Sequence, residues 1–139
     1  MNLNWRTLRV ARHTFNNFFA QKYGRKKISL ANWIFLVFFK SRSAIMVSYD
    51  FQFVKNTKAG PHLRGLAPEK AYPEEERNRG EEDIKSLFNF LRMSEAGKTL
   101  PRIIIGEVDG EQVMLDGDHR AIAASIRGVW LPARIVRIP

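Results

Sequence analysis

Between Pro101 and Gly128 the chain reads PRIIIGEVDGEQVMLDGDHRAIAASIRG, and few folds satisfy that run. The segment RIIIGEV is apolar and rich in β-branched residues, which predicts a strand with Pro101 just ahead of it. Asp109-Gly110 is a strong two-residue hairpin signal, joining that strand to a second, EQVMLDG. The small-residue stretch HRAIAASIRG then predicts a helix closed by Gly128, and Ala133 to Ile138, ARIVRI, predicts a last strand. Upstream, GEEDIKSLFNFLRMSEAG predicts a helix: Glu81, Glu82 and Asp83 suit the positive end of its dipole, Ile84, Leu87, Phe88 and Leu91 form an apolar stripe, and Gly97 ends it. Ahead of it, KNTKAGPHLRGLAPEKAYPEEERNRG is dense in Lys, Gly and Pro and predicts an extended loop. MVSYDFQFV alternates cleanly from Met46, as a half-buried strand does. The order strand, helix, hairpin, helix, strand predicts a small α+β domain with a mixed sheet and flanking helices.

The chain has 139 residues, enough for one core plus an extension. Its charge divides that length. Nine basic residues (Arg6, Arg9, Arg12, Lys22, Arg25, Lys26, Lys27, Lys40, Arg42) and no acidic one lie between Met1 and Tyr49, whereas the remaining 14 basic and 14 acidic residues cancel. The net charge of +9 therefore belongs to the first third. Such asymmetry points to a polyanion, either nucleic acid or an anionic membrane surface, with a solvated basic tail as the plain alternative. Arg6, Arg9, Arg12, Arg25, Lys26 and Lys27 are the candidate nucleic-acid contacts.

Trp5, Leu8, Ala11, Phe15, Phe18 and Phe19 recur at spacings of three and four, which predicts an amphipathic helix ending near Gly24. Ser29 is placed to cap a second helix through LANWIFLVFFK, whose apolar core from Trp33 to Phe39 is far too short to span a bilayer. Membrane-surface contact by this extension stays open, as does packing on a core. The later pattern requires nothing before Met46. The expected organisation is thus a basic, aromatic-rich helical extension over residues 1–45, dispensable or a matter of start-codon choice, and a folded domain over 46–139.

Cysteine is absent, which rules out disulfides, thiolate metal sites and a cysteine nucleophile, and fits a cytoplasmic location. The chemistry concentrates in DGDHR. Where the chain leaves the strand and enters the helix through Gly117, the unpaired amides of the first turn and the helix dipole suit a phosphate. Gly117 lets the backbone approach closely, Arg120 adds a fork of donors, and His119 exchanges protons near neutral pH. Asp116 and Asp118 would repel a bare phosphate, which brings in a divalent cation such as Mg²⁺. The competing reading makes Asp118 an N-cap and His119 and Arg120 surface residues of an ordinary first turn.

From Arg77 to Ile138 the chain resembles the ParB/sulfiredoxin superfamily: Arg77 and Arg79 in a loop, EEDIKSL, AGKTLPRIIIG, and above all LDGDHRAIAAS, similar to that superfamily's DG-x-HR-x-x-A-A box. The resemblance implies that Gly117, His119 and Arg120 hold a nucleotide's phosphates, ATP or CTP, with Arg77 or Arg79 adding a further contact. Sulfiredoxins carry a Cys where this chain has Asp118, so sulfinic acid reduction is excluded. Partition proteins of the superfamily carry a helix-turn-helix DNA reader after this domain, and the chain reaches Pro139 without one. The small free-standing members, nucleases and plasmid fertility-inhibition effectors that hydrolyse ATP and cut DNA during conjugation, are the group it looks like. In that reading Asp116 and Asp118 hold Mg²⁺, Arg120 and Arg77 stabilise phosphoryl charge, and His119 is general acid or base. Equally open is a site without metal, in which the two Asp shape the turn or orient His119.

Two expectations follow: a nucleotide-binding DNase or ATPase, or a non-catalytic regulator that senses nucleotide or binds DNA and acts by contact with a protein of a transfer or defence system. His13 and His62 lack partners at metal-like spacing, and Glu74, Glu75 and Glu76 read as a solvated run. Trp5, Trp33 and Trp130 read as packing residues, with Trp5 and Phe15 able to stack on bases if exposed.

Overall fold

The computed structural model describes residues 3–47 and 74–139. Helix α1 (Trp5–Thr14) runs into a π-helical turn, Phe15–Phe19, and is followed by α2 (Leu30–Phe39) and strand β1 (Ser41–Val47). Then come α3 (Glu74–Glu95), β2 (Ile103–Val108), β3 (Glu111–Asp116), α4 (Asp118–Arg127) and β4 (Trp130–Arg137). The result is a mixed α+β architecture with a four-stranded sheet in the order β1-β4-β2-β3.

The hairpin forms where the sequence predicts it. β2 pairs antiparallel with β3, Val108 opposite Glu111, and Asp109 and Gly110 take φ of 51° and 80°, the left-handed pair of a tight hairpin turn. β2 also pairs in parallel with β4, Ile103 opposite Ala133 through Glu107 opposite Arg137. Ile103, Ile104 and Ile105 are all buried, so both faces of β2 are covered, which is why the strand reads as a continuous apolar run rather than an alternation. At Gly106 a β-carbon would sit 3.0 Å from Leu115 Cδ1 and 3.1 Å from Ile138 Cδ1, and the bare backbone lets those two side chains close over it.

Caps delimit the helices. Asn4 accepts from the Arg6 amide at 2.7 Å and Ser29 from the Asn32 amide at 3.3 Å, opening α1 and α2. At the other ends the Arg25 amide returns to Ala20 O, the Lys98 amide to Met93 O and the Val129 amide to Ala124 O, each just past a glycine, in the bond pattern that terminates a helix.

Two compact units divide the chain: Met1–Met46, Pro101–Gly117 and Leu131–Pro139 form one, Val47–Leu100 and Asp118–Trp130 the other. In the first unit Leu8, Ala11, Phe15 and Phe19 join Trp33 and Val37 of α2 and pack with Ile104, Val108, Leu115, Val136 and Ile138. The indole N–H of Trp33 donates to Leu8 O at 2.9 Å, and Asn16 holds Ile28 at both ends of its side-chain amide, its carbonyl accepting at 2.8 Å and its nitrogen donating at 3.0 Å. Burying a ring such as Trp33 contributes roughly 2–3 kcal/mol. The boundary expected at residue 45 from charge is therefore not where packing divides the chain: the basic segment supplies half of a core.

Two further expectations need correction, and a third lies largely outside the described residues. The strand predicted to open at Met46 coincides with the end of β1 (Ser41–Val47), which edges the sheet, at Met46 and Val47; residues 48–54, and His62 with them, fall outside the described residues. Arg134 of β4 secures it, donating from Nε to Ser41 Oγ at 2.6 Å and from a terminal nitrogen to Ser43 Oγ, a tie that no local pattern announces. The first correction is that α3 begins at Glu74 rather than near Gly80, so Arg77 and Arg79 belong to a helix and not to a loop. Gly80 is carried inside the helix at a cost of about 1 kcal/mol. The second is that Phe88 is exposed whereas Leu87, Phe90 and Leu91 are half-buried, so the stripe of α3 is rotated from the one predicted; Trp5 and Trp130 are exposed, and of the three tryptophans Trp33 alone is core.

Candidate functional site

The turn that carries the predicted chemistry is built by a strand end, one glycine and a helix start. In the sheet unit, β3 closes on Asp116, opposite Ile104, and the register shifts between Ile104 and Ile105, the irregularity that marks a bulge. Gly117 takes φ of 118°, a conformation that a β-carbon strongly disfavours. The next residue opens α4 and belongs to the second unit. Asp116 thus ends a strand in one unit, while Asp118, His119 and Arg120 share the first turn of a helix in the other.

That helical turn differs from an ordinary surface one. Asp118 is 3% exposed and Arg120 7%, and His119 is half-buried. Asp118 is the first helical residue, and Gly117 stands just before it. Within the same unit the Arg120 guanidinium carbon lies 5.8 Å from the centre of the Phe90 ring of α3, within cation–π reach. Ala121, Ala123 and Ala124 are buried behind it, which explains the Ala-rich sequence, since small side chains let the helix lie close to its neighbour. Further along, Arg127 and Glu95 form an exposed ion pair at 3.9 Å.

Phe90 escapes the sequence reading, because the stripe expected on α3 is centred on Phe88. Its signal is the spacing Leu87, Phe90, Leu91, Ser94, itself helical. Arg77 and Arg79 fall in the first turns of α3, and their side chains lie outside the described residues.

Among the described residues no group of three or more His, Asp and Glu gathers as metal ligands. Asp118 is the one acid of its turn. A carboxylate, a substrate's phosphate oxygens and water are a donor set that Mg²⁺ accepts, but these residues alone do not build a cage.

The predicted nucleic-acid contacts separate into two groups. Arg6 and Arg9 on α1 and Lys26 and Lys27 after it are exposed. Arg12 donates from Nε to Ile28 O at 2.9 Å, and Arg25 is ion-paired with Asp109. These two brace the fold. Beside Arg25, Tyr23 donates to Glu111 at 3.1 Å. Partial burial raises the Tyr23 phenol above its ordinary range, and the hydrogen bond to Glu111 and the charges of Glu111 and Asp109 push it the same way. Phe15 is fully buried and unavailable for stacking, whereas Trp5 is exposed.

No family model, curated protein or solved structure matches the chain. No helix among the described residues is long and apolar enough to cross a membrane.

Proposed function

We propose that the chain binds the phosphates of a nucleoside triphosphate at the first turn of α4 and uses that turn for phosphoryl or phosphodiester hydrolysis, as a DNase or ATPase of the ParB-like type. The observation that carries this reading is the burial of both Asp118 and Arg120 in the first turn of a helix whose later residues are mostly Ala. Burying a guanidinium costs free energy, and a helix needing only packing here would take Ala or Leu. The first-turn amides and Arg120 supply donors for phosphate oxygens, and half-buried His119 is placed to hand a proton to the leaving oxygen or take one from water. ATP and CTP are the candidate nucleotides. Mg²⁺ arriving with the triphosphate would draw on Asp118. In the cell this activity fits an effector that cuts or holds DNA in transfer between cells.

The test is nucleotide binding followed by turnover. Titration of ATP and CTP into the protein should give saturable binding that Arg120→Ala weakens about thirtyfold or more, the weight of one charge-assisted contact, with Arg120→Lys recovering part of it. His119→Ala should keep binding and lose ATP hydrolysis and plasmid nicking. Wild-type protein that binds neither nucleotide, with a cooperative melt proving it folded, defeats the proposal.

Exposed Arg6 and Arg9 on α1 favour a second reading, a non-catalytic DNA-binding regulator that acts by contact. It predicts DNA affinity whose logarithmic salt slope flattens by about 0.9 for each of these arginines removed, without nicking.

A further inference from the structure

The sheet-bearing unit carries a surface that the nucleotide reading does not use. α2 has no charged residue in its ten, and it buries only Trp33 and Val37. Its opposite face carries Phe35, Phe38 and Phe39, which are 50%, 38% and 74% exposed, and the rings of Phe35 and Phe39 stack with centroids 5.4 Å apart. Three phenyl rings on one helix face exceed the scattered single apolar residues of an ordinary surface. Below Phe35 lies a groove of about 550 Å³, lined by Arg25, Lys26, Lys27, Ile28 and Leu36 among others. Lys26 and Lys27 on one side, and Lys40 at the far end of the helix, are exposed and make no ion pair among the described residues. The carboxylate of Asp109 is engaged by Arg25. No acidic residue occurs anywhere from Met1 to Tyr49.

We infer that this face docks on an anionic phospholipid bilayer, with Phe35, Phe38 and Phe39 entering the acyl boundary and Lys26, Lys27 and Lys40 meeting headgroup phosphates. Placement of the charge decides between lipid and nucleic acid. A single-stranded nucleic acid needs cations interleaved with its stacking rings, following the backbone. Here the rings form an unbroken apolar centre, with Lys26 and Lys27 across the groove from Phe35 and Lys40 at the other end, none of them between the rings, which matches a helix lying in the plane of a membrane interface. The groove between Lys26, Lys27 and Phe35 places a headgroup site directly beside the apolar face.

Flotation or sedimentation of the full chain with vesicles of phosphatidylcholine, alone and mixed with phosphatidylglycerol, tests this. Binding is expected to the mixed vesicles only, and to weaken as salt rises. Lys26→Gln with Lys27→Gln should lower the partition coefficient about thirtyfold, the weight of two near-surface lysines. Phe35→Ser with Phe39→Ser should abolish it, and because both rings are exposed the melting temperature should hold. A Phe39→Trp variant should show a blue shift and quenching by brominated acyl chains. Absence of binding to either vesicle, equal binding to both, or indole emission of the Phe39→Trp variant unmoved by vesicles overturns the inference. So does an oligonucleotide or a self-association that needs Phe39 while vesicles do not bind.

Discussion

A buried charge is the residue-scale signature of this protein, and Tyr23 is its counterpart among neutral groups. The Tyr23 phenol is raised by burial first, then by its bond to Glu111 and by the charges of Glu111 and Asp109. A phenol held neutral in the folded state contributes stability that is whole below the ordinary tyrosine range near about 10 and is lost as pH climbs through the folded value. The difference in ultraviolet titration between wild type and Tyr23→Phe should therefore place this ionisation above the ordinary range, and the alkaline loss of stability should be steeper in wild type. A Tyr23 titrating at or below the ordinary value would contradict the geometry. Gly106 makes a second residue-scale prediction. With Leu115 Cδ1 and Ile138 Cδ1 at 3.0 and 3.1 Å from a β-carbon, Gly106→Val forces two buried side chains aside, and urea unfolding should show a loss of about 2 kcal/mol. Both features are illegible in the sequence, since Tyr23 meets Glu111, and Gly106 meets Ile138, only after distant segments have come together.

At the scale of elements, local chemistry is readable and long-range ties are not. Asp109-Gly110, the Ser29 cap, and the glycines that close the helices each act within a few residues, so their consequences are written where they stand. Ser29→Ala should cost about 1 kcal/mol and Gly128→Ala a similar amount, because one leaves the Asn32 amide without its acceptor and the other forces a left-handed residue to carry a β-carbon. Thermal melts would show both, and a neutral Ser29→Ala would mean that α2 is held by packing alone. β1 is hidden because SRSAIMV has no alternation, and Arg134, 91 to 93 residues away in sequence, fixes it through Ser41 and Ser43. The start of α3 is hidden because Gly80 and the Lys, Gly and Pro ahead of it resemble a loop. For the site, the box Asp116 to Arg120 and its strand-to-helix passage are legible; the burial of Asp118 and Arg120 and the ring of Phe90 beside Arg120 require α3 in place.

At the scale of the whole molecule, charge and packing divide the chain differently. The basic segment looks detachable because nothing in the later pattern requires it, yet Leu8, Phe15, Trp33 and Val37 belong to the same buried cluster as Ile104 and Leu115. A chain starting at Met46 should therefore fail to give a cooperative unfolding transition, and it should bind hydrophobic dye; a cooperative melt in that truncation would return the segment to the status of a tail. The strand order β1-β4-β2-β3 adds a consequence for how the protein is made. Among the described strands β1 has β4 as its neighbour, and the residues that tie them, Ser41 and Arg134, stand 93 apart, so β1 leaves the ribosome long before the strand that receives it. Until then Trp33 and Val37 of α2 wait with half of their core missing, a state in which nascent chains recruit holdase chaperones or aggregate.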